Sequence, residues 1–205
     1  MQHEPQAWLN DMRAGNMQAL AQLFEHYRPR LERMLWSRMG QEVASRFDAA
    51  DVLQEAYLDA TRQISGYLRE PRVDIYVWLR SLTGQRLAKF HEQHVEAQRR
   101  SVHREVSSPS VSSFVAVAQL LASGTSPTQA AVREEVRSHM EAALSRLPDA
   151  DREVLILRHF EDLANHEVAQ VLGISDSAAT MRYGRAVFRL KEIFLSDSRL
   201  ESDRT

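Results

Sequence analysis

The stretch Asn165-His166-Glu167-Val168-Ala169-Gln170-Val171-Leu172-Gly173-Ile174-Ser175 decides the fold class. Asn165 is a residue type that caps a short helix. Val168, Val171 and Leu172 recur at helical spacing and are expected to face inward. Ala169 is small enough for a second helix to cross closely. Gly173 follows the last apolar residue, where a helix commonly closes in the left-handed conformation. Ile174 is expected to fill the angle, and Ser175 to cap a second helix running to about Phe194. Helices joined this way form a helix-turn-helix, whose second helix enters the major groove of DNA. Ser175, Ser177, Thr180, Met181 and Arg182 then lie where base edges are reached. Arg185, Arg189 and Lys191 lie further along and suit phosphates. The plainer alternative is a helical hairpin with a solvated basic face. The four bases and no acid between Ser177 and Lys191 favour the DNA reading.

Upstream of the motif, Val132, Val136, Met140, Ala143, Leu144 and Leu147 form one helical stripe, which Pro148 ends. Asp149 and Asp151 suit the start of the next helix. Further back, Ser107-Ser108-Pro109-Ser110 and Ser123-Gly124-Thr125-Ser126-Pro127 are breaker clusters. They bracket an apolar centre, Phe114 to Leu121, and mark a linker over 101–128. The first block, 5–100, repeats the helical pattern. Leu20, Leu23, Phe24, Tyr27, Leu31, Met34 and Leu35 make one stripe. Val52, Leu53, Ala56, Tyr57, Ala60 and Ile64 make another, and Tyr76, Val77, Leu79, Leu82, Leu87 and Phe90 a third. The expected fold is all-α, with two helical domains, 5–100 and 129–195, and a polar tail over 196–205. The second domain is a helix-turn-helix, winged-helix-like but without a wing.

The 205 residues carry a formal net charge of −2 and no cysteine. Disulfides and thiolate metal sites are thereby excluded. No apolar run reaches the roughly 20 residues of a membrane helix, and the start lacks a signal-peptide core. A soluble cytoplasmic protein is expected. The charge is unevenly spread. Gln41 to Ala60 hold five acids and one base, whereas Tyr76 to Arg104 hold six bases and two acids. Asp48, Asp51, Glu55 and Asp59 step by three, four and four, so they line one side of a helix. Caps and the helix dipole explain Asp48 and Asp51. A basic partner surface explains all four.

At this point the residues resemble a known family. Leu147-Pro148, Arg152, Val154-Leu155, Leu157-Arg158, Glu161, Leu163, Glu167-Val168-Ala169, Leu172-Gly173-Ile174-Ser175, Arg182, Arg185-Ala186 and Leu190 resemble the promoter-reading domain of extracytoplasmic-function (ECF) sigma factors. Phe47 to Ala56 resembles that family's polymerase-binding helix, and Trp78-Leu79 with the basic helix after it resembles the promoter-melting segment. The resemblance covers about Asp11 to Arg100 and Ala131 to Leu195. It implies a sigma factor that binds core RNA polymerase and directs promoter-specific initiation. The helix-turn-helix would read the upstream element, and the N-terminal domain would open the downstream element. Core polymerase would be bound through Asp48, Asp51, Gln54, Glu55 and Asp59. In the first domain DNA would be met by Arg80, Arg86 and Lys89, with upper-element recognition there. The loop Ser65 to Val73 would hold a flipped base. Family members commonly carry Lys at the position of Thr180, Val or Ile at Ala179, and Asn-x-x-x-Asp where Gln85 and Lys89 stand here. The promoter sequence is therefore not borrowed from relatives. An anti-sigma factor is a further partner that the family allows.

Two other readings stay open: a one-component helix-turn-helix regulator, and a sigma-like adaptor that does not initiate. Enzyme readings are weaker. His91 and His94, spaced at three, and the group His159, Glu161, Asp162 and His166 complete no recognised ligand set. No Gly-rich phosphate loop or nucleophile elbow occurs. No catalytic residue, metal or cofactor is expected.

Overall fold

Every element described in the computed structural model is a helix, as the 3.6-residue apolar spacing requires. The structure describes residues 5–38, 49–99, 140 and 142–202. The expected linker, the stripe residues Val132 and Val136, and Asp48 lie outside them. The chain divides into two compact units, Met1–Leu35 with Ala44–Ser107, and Trp36–Val43 with Ser108–Thr205.

In the first unit, α1 (Pro5–Arg13) buries Trp8, Leu9 and Met12 along one face. Pro5 suits the first helical position, whose N–H has no partner in a helix anyway. Gly15, with φ +97°, lets the chain reverse, and the Asn16 side chain then accepts the Gln18 amide at 3.2 Å. That cap opens α2 (Gln18–Arg38), whose Leu20, Leu23, Leu31, Met34 and Leu35 are almost wholly buried. α3 (Ala49–Arg69) buries Val52, Leu53, Ala56, Ala60, Ile64 and Tyr67. The Asp74 carboxylate accepts the Tyr76 amide at 2.9 Å and starts α4 (Ile75–Arg99), which packs on α3. Each large apolar side chain so buried contributes roughly 1.5–3 kcal/mol.

Besides the last residues of α2, from Trp36 on, the second unit holds helical residues 142–145, α5 (Asp149–His159), α6 (Asn165–Leu172) and α7 (Asp176–Ser202). Arg152 explains how the chain turns at Leu147-Pro148. Its guanidinium donates to the carbonyls of Leu144, Ser145 and Leu147 at 2.9 to 3.1 Å. Those carbonyls lie at a helix end, where acceptors are left over, and the Leu144 carbonyl also accepts the Leu147 amide at 3.2 Å. Arg158 donates to the Leu163 carbonyl at 2.9 Å across the next turn, where Asp162 takes a left-handed φ of +56°. The core gathers Val154, Leu155, Leu157, Leu163, Val168, Ala169, Ala179 and Ala186.

The helix-turn-helix forms as expected, with three corrections. Ala164, not Asn165, occupies the cap of α6, and its backbone N–H donates to the Glu167 carboxylate at 2.7 Å. Val171 and Leu172 are half-buried rather than interior, because α6 is only eight residues long and its last turn borders solvent. α7 also runs past Phe194 to Ser202.

Candidate nucleic-acid interface

Three local features aim α7. Gly173 closes α6 with φ +64°, and the Ile174 amide returns to the Ala169 carbonyl at 3.0 Å. Ser175 Oγ accepts the Ala178 amide at 3.2 Å and caps α7. Asn165, displaced from its expected role, donates to the Asp176 carbonyl at 2.9 Å and ties the starts of the two helices together. Ala179 and Ala186 are fully buried on the inner face, so α7 approaches its neighbours closely.

The opposite face carries the expected DNA-contacting groups. Ser175, Ser177, Thr180, Met181 and Arg185 are exposed, and Arg182 is half-buried. Thr180 Oγ1 donates to the Asp176 carbonyl at 3.0 Å within its own helix. Arg182 and Arg185 make no ion pair or hydrogen bond with the described residues. Arg189 differs, because it pairs with the buried carboxylate of Asp151 on α5. Sequence spacing placed Arg189 among the phosphate contacts. The structure also gives it a bracing role that spacing does not reveal. A second brace escaped the sequence reading: the Tyr183 hydroxyl lies 3.0 Å from His159 Nε2, with Arg158 stacked over the Tyr183 ring.

In the first unit the acidic stripe splits into two flanks. Asp51, Gln54 and Leu58 are exposed on one flank of α3. Glu55 and Asp59 lie on the flank toward α4, where both Asp59 oxygens receive Arg86 in a bidentate pair. Glu55 lies 3.4 Å from the same guanidinium, and Arg62 lies 3.3 Å from Asp59. The Arg86 guanidinium holds the Asp59 carboxyl below its ordinary value, and the carboxyl in turn raises Arg86. One residue assigned to polymerase and another assigned to DNA are thus partners of each other. Lys89 is exposed, and Arg80 is half-buried.

Near the end of α3, an open cleft of about 540 Å³ is lined by residues including Arg62, Gly66, Arg69, Arg72 and Trp78. Trp78 is half-buried and stacks on Tyr67 with ring centroids 4.9 Å apart. Tyr67 donates to the Val73 carbonyl at 3.0 Å, and burial pushes its phenol up to about 12. The aromatic pair makes a flat wall in a cationic cleft.

The model of the Sigma-70, region 4 family matches residues 139–190, the span that contains the helix-turn-helix. A probable RNA polymerase sigma factor, RfaY of Xanthomonas campestris pv. campestris, is 33% identical over 66% of this chain and 31% of its own length. The chain thus spans about a third of that relative. The ECF RNA polymerase sigma factor SigD of Mycobacterium bovis is 27% identical over 87% of this chain and 78% of its own. The chain is similar to ECF sigma factors along most of its length. A solved structure of CnrH in complex with the cytosolic domain of CnrY shares the fold of this chain. It has a TM-score of 0.52 at 19% identity, over 93% of this chain and 97% of that one.

Among its described residues, the chain has no group of three or more His, Cys, Asp or Glu that could hold a metal ion. No described helix is long and apolar enough to cross a membrane. The exposed Phe188 beside Arg185 and Arg189 was missed by sequence reasoning, because one apolar residue in a basic helix gives no periodic signal.

Proposed function

We propose that the chain is a sigma factor that binds core RNA polymerase through α3 and directs promoter-specific initiation, with α7 reading the upstream element in the major groove. The division of labour follows the chain, with 5–100 for polymerase binding, melting and upper-element recognition and 129–195 for upstream reading. The observation that carries the reading is the free cationic face of α7, where Arg182 and Arg185 project from a capped and braced helix. Arg182, in the first two turns, suits a guanine edge or a phosphate, and Arg185 suits a phosphate. Asp51 and Gln54 supply an exposed polar and acidic flank for a basic polymerase surface. The Trp78–Tyr67 stack and the nearby arginines support the cleft as a seat for an unstacked base.

The polymerase supplies the chemistry, so this chain contributes binding and positioning alone. Its place of action is the cytoplasm, where polymerase and chromosome meet. A regulator of the anti-sigma kind is a third partner on the strength of the resemblance to ECF sigma factors. In vitro transcription with purified bacterial core enzyme over fragmented genomic DNA tests the reading. Discrete transcript starts sharing an upstream element are expected. Output no different from core enzyme alone would overturn it.

A further inference from the structure

We propose that Asp59, with Glu55, is a positioning residue that withholds Arg86 from nucleic acid in the free chain. A basic partner surface engaging the acidic side of α3 then releases it. The inference rests on the reading of α3 as the polymerase-binding helix and α4 as a DNA-contacting one.

The geometry is specific. Arg86 donates through Nε to Asp59 Oδ2 and through Nη2 to Oδ1. Its remaining nitrogen, Nη1, lies 3.4 Å from Glu55 Oε2. All three guanidinium nitrogens therefore face a carboxylate. The fork that grips Asp59 is also the fork that grips a phosphate, so Arg86 serves one or the other. The pair lies at the edge of the packed surface, with the side chains of Asp59 and Arg86 14% and 19% exposed. That is enough for exchange with an incoming charge. Glu55, 43% exposed, offers the first point of attack.

The surrounding charge favours release. Arg62 bonds Asp59 from the α3 side, and Lys89 acts on the same carboxylate from α4. Three cations thus surround two acids. When a basic surface draws Glu55 and Asp59 toward itself, the local balance leaves Arg86 and Lys89 to attract phosphate. The coupling is reciprocal by linkage, since nucleic acid that takes Arg86 frees the acids for the partner. A simple strut between α3 and α4 makes a different prediction. Removing it would weaken the fold and leave DNA affinity equal or lower.

The test is binding of a labelled single-stranded DNA oligonucleotide of mixed sequence, followed by fluorescence anisotropy across a salt series. Asp59→Asn in the free chain is expected to bind about threefold tighter at low salt. Its salt slope should be steeper by about 0.7, as one added single-strand phosphate contact gives. The gain should vanish in Asp59→Asn/Arg86→Gln. Assembled with core enzyme, wild type and Asp59→Asn should show the same slope, because Arg86 is already released. Glu55→Gln, at a more exposed position, is a second probe that spares the packing and should give a smaller gain in the same direction. Wild-type affinity in both Asp59→Asn and Glu55→Gln overturns the proposal. So does a gain that survives in the double variant, or one that is equally large with core enzyme. If the wild-type chain neither assembles with core nor binds the oligonucleotide, the functional reading itself fails.

Discussion

The two basic helices, α4 and α7, carry comparable positive charge along the sequence yet hold it differently. In α4, Arg86 is bound by carboxylates of the neighbouring helix. In α7, Arg189 is bound to Asp151, while Arg182 and Arg185 stay unpaired among the described residues. The difference follows from what each helix packs on. α4 lies along α3, whose flank is acidic, so a cation there meets a partner within its own unit. α7 lays an alanine face on its neighbours, with Arg182 half-buried and Arg185 exposed. Counting bases therefore overstates the nucleic-acid surface of α4 more than that of α7.

The comparison can be broken most forcefully on the acidic flank. Asp51→Lys/Glu55→Lys should reduce core-enzyme binding by about 100-fold or more, since like charges across an interface cost several kcal/mol. A pull-down of core enzyme checks this, with circular dichroism to show that the fold survives. Arg182→Ala comes next. It should cost about 1–3 kcal/mol in holoenzyme binding to promoter duplex, or roughly 10- to 100-fold. Its effect on core binding should be nil. Gly173→Ala sharpens the contrast through stability. Nothing crowds the added methyl, but the left-handed backbone penalises it by about 1–2 kcal/mol. Chemical denaturation should show the loss.

The smallest effect is the pH dependence of the Asp59–Arg86 pair. The folded carboxyl titrates below its ordinary 3.8 because Arg86 favours the charged form. Its stabilising contribution is therefore full above about pH 4. It is lost as pH falls through the folded value. Asp59→Asn should flatten that acid limb in a denaturation series against pH, and an unchanged limb would remove the pair from the account.

Legibility in the sequence followed the distance over which each signal acts. The helix-turn-helix could be read because its cap, its small residue, its left-handed glycine and its plug all fall within eleven consecutive residues. The helical stripes were legible for the same reason, since periodicity is local. The cap at Ala164 was not, because a Glu167 side chain reaching back to a backbone N–H needs no capping residue type at that position. The pairs Asp59–Arg86 and Asp151–Arg189 join residues 27 and 38 positions apart. Each partner taken alone looks like a solvated charge on a helix face. The role of Arg152 was hidden likewise, since its partners are carbonyls and carry no residue identity.

Transcription from one promoter with core enzyme titrated tests the division between the two units most directly. The account predicts that Arg182→Ala/Arg185→Ala reaches half-maximal output at the wild-type core concentration but yields at least about tenfold less promoter transcript. A shifted core requirement with full transcript yield at saturation would contradict it.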